Sequence, residues 1–287
     1  MWVRQGRDLD VAEGREGIPA PSSRGVRMTA KTKHKCAKTT PVLVAHVGPS
    51  QFDSSTVRVV VYSLRGSRNA KLGPMAQALI CRDDCPPHHA TRLGLDGAVC
   101  GDCTLRTANA GGCYVATGLH YPHLWRLSNG LAPDLEGACD AIRASELPVR
   151  FGSHGDPAAM PFEVFEALVG ATTRGGRPRH TAYTQAWRTC DQRFREYAMA
   201  SVLSAEQRYE AKELGWRTFR VRLADMPVLS GERPCTAAPE SGHRTTCSRC
   251  LACSGTSSRR TRDLCIVAHG SRDRVNRMAT TLLALDC

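Results

Sequence analysis

The sequence predicts an α/β fold, a partial and incomplete parallel β/α barrel with cysteine-rich metal-binding loops. Two observations carry that expectation. From Leu147 onward, short apolar runs of strand character alternate with helical patterns, as parallel βα units do. Fourteen cysteines, several spaced C-x-x-C, sit in a chain whose first residues contain no apolar segment resembling a secretory signal. In that setting the spacing points to metal rather than disulfides. Eight βα units do not fit in 287 residues with this pattern, so a complete eight-stranded barrel is not expected.

Residues 1–40 are polar and rich in Gly, Arg, Ser and Lys, without helical or strand period, and read as a disordered basic extension. Met28 is an alternative start. A single α/β domain is expected over 41–287, with a cysteine-rich insertion over 69–130 and a carboxy-terminal cysteine loop over 233–262. Order begins with PVLVAHV (41–47) and VRVVVYSL (57–64), both strand-like. The insertion shows too little apolar periodicity to hold itself by packing, so a metal is expected to substitute for a core there. LPVRFGSH (147–154) reads as a strand ending in Gly155-Asp156-Pro157, and Pro161 opens a helix whose Val164, Phe165 and Leu168 share one face. RHTAYTQ (179–185) and EYAMASV (196–202) are the next strands. Ser204 with Gln207 forms a capping box for the following helix, which Gly215 closes. WRTFRVRL (216–223) and LCIVAHG (264–270) complete the set. There is no internal repeat and no apolar run long enough to span a membrane, so the expected location is cytoplasmic.

The formal net charge of +12 would draw the chain toward DNA or RNA. Only six of the 39 basic residues are lysines, however, and such an arginine skew also arises from a GC-rich genome. Nucleic-acid contact and a plain solvated arginine surface both remain open.

Cysteine spacing is more informative. Cys235 precedes Cys247-Ser-Arg-Cys250-Leu-Ala-Cys253, which places three thiols around one small turn with a fourth across a loop. Structural zinc sites use separated C-x-x-C pairs, whereas a compact C-x2-C-x2-C more often wraps an iron–sulfur cube. Zn2+ and a cluster both stay open, beside the plain alternative of incidental thiols. A second group is Cys100-Gly-Asp-Cys103 with Cys113. Either these three leave a coordination position open, as a catalytic metal needs, or Cys81, Cys85 or His89 closes the shell into a staple. Cys36, Cys139, Cys190, Cys265 and Cys287 have no partner at ligand spacing, and Cys265 reads as a small buried residue.

Polar residues recur at the carboxyl ends of the predicted strands, the edge that carries sites in parallel α/β folds. They are His154 and Asp156, then Tyr183, Thr184 and Trp187, then Ser201, and finally His269. Asp156, Tyr183, Thr184 and His269 are the catalytic candidates, and His154, Trp187 and Ser201 the substrate-binding ones. Singly, each has a structural alternative: a turn or cap for Asp156, a core plug for Trp187, a satisfied histidine for His269. Asn69 and Lys71, on a Gly/Pro loop, could hold a phosphate or carboxylate, or simply form a solvated turn.

The ordered string Asn69-Ala-Lys71-Leu-Gly73-Pro74, Cys100-Gly-Asp-Cys103, Gly112-Cys113-Tyr114, Gly155-Asp156-Pro157-Ala158, Tyr183-Thr184 with Trp187, Met199-Ala200-Ser201, Gly215-Trp216-Arg217, Cys247-x-x-Cys250-x-x-Cys253 and Ala268-His269-Gly270 resembles an uncharacterised family of bacteriophage and actinobacterial mobile-element proteins. More distantly it is similar to phage gene-product-88-like proteins and to radical-SAM-type partial barrels. That likeness implies an iron–sulfur cluster on the first cysteine loop, an auxiliary one at the carboxy-terminal group, and S-adenosylmethionine as co-substrate. The radical enzymes space their ligands C-x3-C-x2-C, whereas Cys100, Cys103 and Cys113 run C-x2-C-x9-C. The expected function is a metal- or iron–sulfur-dependent enzyme acting on nucleic acid or nucleotides. The alternative is a non-catalytic, zinc-stabilised nucleic-acid-binding protein using arginines such as Arg259, Arg260 and Arg262, and a third reading is an accessory protein that binds a host partner.

Overall fold

Two neighbouring valine runs start the fold. The computed structural model describes residues 41–285; the expected extension over 1–40, the start at Met28, Cys36 and Cys287 lie outside the described residues. β1 (Leu43–Pro49) and β2 (Thr56–Tyr62) pair antiparallel. Val57, Val59 and Val61 face the main core, while Val60 and Tyr62 face a smaller cluster, so β2 is buried on both sides. β3 (Ala76–Arg82) is antiparallel to β2. This strand corrects the expectation for the cysteine-rich insertion. Ala78 and Ile80 enter the main core and Leu79 and Cys81 the smaller one, so this part of the segment is held by apolar packing. A strand buried on both faces shows no polar alternation, which is why periodicity did not reveal it.

Short helical turns α1 (Pro87–Arg92) and α2 (Gly97–Cys100) follow, then α3 (Tyr121–Ser128), whose Tyr121 and Leu124 cover the Val60–Leu79 face. α4 (Leu135–Ser145) starts at Asp134, whose carboxylate accepts from Gly137 N–H. β4 (Val149–Arg150) is parallel to β3, and α5 (Phe162–Ala171) follows Pro161 as expected. The run predicted as one strand over 179–185 is divided at Ala182 into β5 (His180–Thr181), paired with β4, and β6 (Tyr183–Thr184), paired with β7 (Met199–Val202). Ser204 caps α6 (Ala205–Glu213) by accepting from Gln207 N–H, and Gln207 Oε1 accepts from Leu203 N–H, one residue beyond the expected box. β8 (Thr218–Arg222), β9 (Glu232–Pro234), α7 (Cys247–Cys250), β10 (Asp263–Val267) and α8 (Arg272–Leu285) complete the chain.

The strands lie in two five-stranded sheets, in the orders β1-β2-β3-β4-β5 and β6-β7-β8-β10-β9. Pairing is parallel from β3 onward in the first sheet and throughout the second. The architecture is mixed α/β with parallel sheets, and no barrel closes. A single main core runs along both sheets, with Phe151, Phe165, Trp187, Phe194 and Trp216 among its buried aromatics. Among the described residues no helix is long and apolar enough to cross a membrane.

Candidate metal centre

Cys235 follows directly on β9, and its N–H donates to Cys265 O at 2.8 Å, extending the pairing with β10. Cys247 and Cys250 occupy the single turn of α7. That turn is docked on the 69–73 loop, because Cys247 N–H donates to Lys71 O at 3.0 Å and Ser248 N–H to Leu72 O at 2.9 Å. The approach is so close that a Cβ at Gly73 would lie 2.5 Å from Ser248 Oγ, and its φ of +68° also requires glycine. Leu251 then takes a left-handed conformation (φ 48°) that turns the chain toward Cys253. The carbonyl of Cys253 accepts from Ala182 N–H at 2.9 Å, tying the cysteine loop to the break between β5 and β6.

All four cysteines line one cavity of about 280 Å³, which Lys71 borders as well. Tyr183 and Phe219, their rings 4.8 Å apart, form its apolar wall, and Arg233, Arg259, Arg260 and Arg262 its basic side. Tyr183 bears on the Cys253 thiol and opposes part of the rise that burial gives it. Burial pushes the thiols of Cys235, Cys247 and Cys253 up, and the negative charge that each would carry adds to the effect on its neighbours.

Cys100 ends α2, Cys103 N–H donates back to Cys100 O at 3.2 Å, and Cys113 N–H donates to Leu105 O at 2.9 Å. Arg106 holds this loop by bonding Asp96 through Nε and Nη2 and the carbonyls of Gly101 and Gly94. Burial pushes Cys103 up to about 12 and raises Cys100 and Cys113 as well, and Cys100 feels both other thiols. The structure does not bring Cys81 and Cys85 into this group. Cys81 is fully buried in the cluster under α3, where Arg58 and Asp83 are the charges that act on it. Cys85 lies beside Asp84 and Arg82, and the rings of His88 and His89 face each other at 4.1 Å. Cys265 is buried in β10, as expected.

The expected metal-binding loops need a correction of geometry. Among the described residues, no three His, Cys, Asp or Glu side chains stand where they could hold a metal ion together. A zinc bound at about 2.3 Å draws its four sulfurs to about 3.8 Å from one another. The thiols are instead arranged around a space. All twelve cysteines of the described residues are free thiols, and four of them line one cavity.

The polar residues expected at strand ends separate into three roles. Asp156 joins strand ends: its Oδ1 accepts from Ala158 N–H at 2.9 Å, and its Oδ2 from Thr184 Oγ1 at 3.1 Å and Gln185 N–H at 2.7 Å. Gln185 Nε2 continues the network to Ser201 Oγ at 2.8 Å. Burial lifts the Asp156 carboxyl to about 6 despite these donors. Trp187 is a core residue, 1% exposed, and His154 is buried against Tyr121 and held by burial down to about 4. Asn69 is a turn former, its Oδ1 accepting from the N–H groups of Lys71 and Leu72. Tyr183, Lys71 and His269 remain beside open space. His269 Nε2 lies 3.4 Å from Lys71 Nζ, and its ring stacks on Tyr114 at 5.7 Å. Sequence reasoning missed Arg150, which donates to Tyr114 Oη at 2.9 Å. Its position as the last residue of a parallel strand was the available signal.

Comparison with family models, curated proteins and solved structures finds no match to this chain.

Proposed function

We propose that the protein is an iron–sulfur enzyme of mobile-element origin that acts on a nucleotide or nucleic acid, with Cys235, Cys247, Cys250 and Cys253 holding the cluster. The observation that carries this reading is one cavity lined by four free thiols and a row of arginines. The C-x2-C-x2-C spacing of Cys247, Cys250 and Cys253, with Cys235 across the cavity, is the pattern that favours a cluster over a single zinc ion. When bound, the cluster supplies one-electron transfer. The chain's own part is to exclude water from the cluster with Tyr183 and Phe219 and to attract phosphates with Arg259 and Arg260.

Cys100, Cys103 and Cys113 form the second metal site in this reading, with S-adenosylmethionine as co-substrate only if that site also takes a cluster. The finer architecture we propose is a partial barrel. β3, β4, β5 with β6, β7, β8 and β10 neighbour one another in sequence order, as barrel strands do. A second reading, a zinc-stabilised nucleic-acid-binding protein without catalysis, draws on the same exposed Arg259 and Arg260.

Anaerobic purification followed by visible absorbance and metal analysis tests the proposal. A brown protein containing iron and sulfide, bleached in Cys250→Ser, is expected. A colourless protein carrying stoichiometric zinc and no iron would overturn it. In the zinc reading, affinity for single-stranded DNA or RNA falls steeply with salt and turnover is absent.

A further inference from the structure

The buried and half-buried arginines of the core differ in how their charge is met. Arg58, Arg106, Arg208 and Arg220 each meet a carboxylate, from Asp83, Asp96, Asp263 and Glu232. Arg217 and Arg222, which lack one, each donate to three backbone carbonyls. Arg150 has neither. Its single hydrogen bond goes to the Tyr114 hydroxyl, its buried Nε has no partner, and among the described residues no carboxylate lies within salt-bridge distance. Arg150 is half-buried, so its remaining donors face a corner open to solvent with no carboxylate to meet them.

A second cation stands beside it. Lys71 Nζ has His269 Nε2 as its hydrogen-bond partner, at 3.4 Å, and no carboxylate within salt-bridge distance among the described residues. His269 Nδ1 lies 3.0 Å from Val267 O, which can only accept, so Nδ1 carries the ring proton and Nε2 faces the ammonium with its lone pair. Burial, then Lys71, and further Arg150 hold this histidine below its ordinary value, so both cations bear on the same ring. The carboxylate acting there, Glu240, is already engaged by Val267 N–H at 2.8 Å. Tyr114, 43% exposed and stacked on His269, opens this corner to solvent.

We propose that Lys71, Arg150, His269 and Tyr114 form a binding site for a phosphate monoester. Two cations approach from different elements, a loop and the end of β4, and together balance a dianion. A monoester carries up to two negative charges, whereas a backbone diester carries one. Lys71 serves as a point charge, Arg150 offers its unused donors, and the Tyr114 ring stands where the ester's organic part would leave the site. Lys71 also borders the cysteine cavity, so the test must tell an anion held by Lys71 and Arg150 from one held among the thiols.

Calorimetric titration of the purified full chain with inorganic phosphate and with adenosine monophosphate, at constant ionic strength in chloride, tests this. Both ligands should bind competitively, and Lys71→Met and Arg150→Met should each weaken them about tenfold or more. An oligothymidylate without terminal phosphate should not displace phosphate, and Cys250→Ser should leave affinity unchanged. Circular dichroism confirms that each variant is folded, and Lys71→Met, on a half-exposed loop, keeps the test decisive should Arg150→Met unfold. Wild-type protein that binds neither ligand, wild-type affinity in Lys71→Met, or displacement by the diester would overturn the proposal. Loss of phosphate binding in Cys250→Ser alone would assign the anion to the cysteine cavity and overturn it as well.

Discussion

Replacing Glu232 by Gln should cost the protein about 3–5 kcal/mol, the range for breaking a buried ion pair by removing one charge. The Glu232 side chain is wholly buried, and its two oxygens accept from Arg220 Nε and Nη2, both at 2.8 Å. Oε2 also accepts from Leu229 N–H at 2.9 Å, and Arg208 Nε stands 3.7 Å from Oε1. Glutamine keeps the volume but turns an NH2 group toward donors that already point at it. Two guanidinium groups, 4–5% exposed, would then face an uncharged side chain, while Asp263 already takes Arg208, Lys212 and Thr218 N–H. The loss is measurable by urea unfolding followed by circular dichroism. Combining Glu232→Gln with Arg220→Met removes the stranded charge and should recover most of the deficit. A single variant within about 1 kcal/mol of wild type would refute the reasoning, as would a double variant worse than the sum of its parts. Because Cys235 lies three residues beyond Glu232, the single variant should also bind iron less well.

Other outcomes follow from the same geometry. Asp156→Ala strips three donors of their acceptor at once and should destabilise by about 2–4 kcal/mol in the same unfolding assay. Gly73→Ala forces a Cβ to 2.5 Å from Ser248 Oγ at positive φ, so a loss of about 1–3 kcal/mol and weaker metal retention are expected. Burial holds His180 at about 4 in the folded protein, against 6.5 ordinarily. The unfolded chain therefore takes up the proton first, and stability present above pH 6.5 drains away as pH falls toward 4. His180→Gln should flatten this acid slope by up to about 1.4 kcal/mol per pH unit in that window. Asp156 works in the opposite sense, since its raised carboxyl binds a proton in the folded state first, and stability is lost as pH rises from 3.8 to about 6.

Much of the carboxy-terminal half was legible because its elements obey local rules. Strand-like runs end in Gly-Asp-Pro or at a Ser204 cap, and β7, β8 and β10 appear near their expected places. β3 was hidden because AQALICR buries both faces and ends in the residues that made the segment look like a metal loop. The hairpin sense of β1 and β2 depends on tertiary pairing that no residue pattern announces. At the site, spacing singled out Cys247, Cys250 and Cys253, and the recurrence of polar strand ends located Asp156 and Thr184 without separating a structural joint from a reactive group. Arg150 stood at the end of a predicted strand, but what sets it apart, the lack of a carboxylate partner, is a property of the folded surroundings.

The seam at Ala182 gives the two sheets a shared reporter. Its N–H is bonded to Cys253 O and not to a neighbouring strand, while its carbonyl accepts from Met199 N–H at 3.0 Å. That amide is thus protected from hydrogen exchange only while the cysteine loop is seated. Ala182 exchange, followed in a protein whose surrounding strand amides stay silent, times the opening of the loop residue by residue. A ligand that tightens the loop would register there as slowed exchange before any change in the overall melting of the fold.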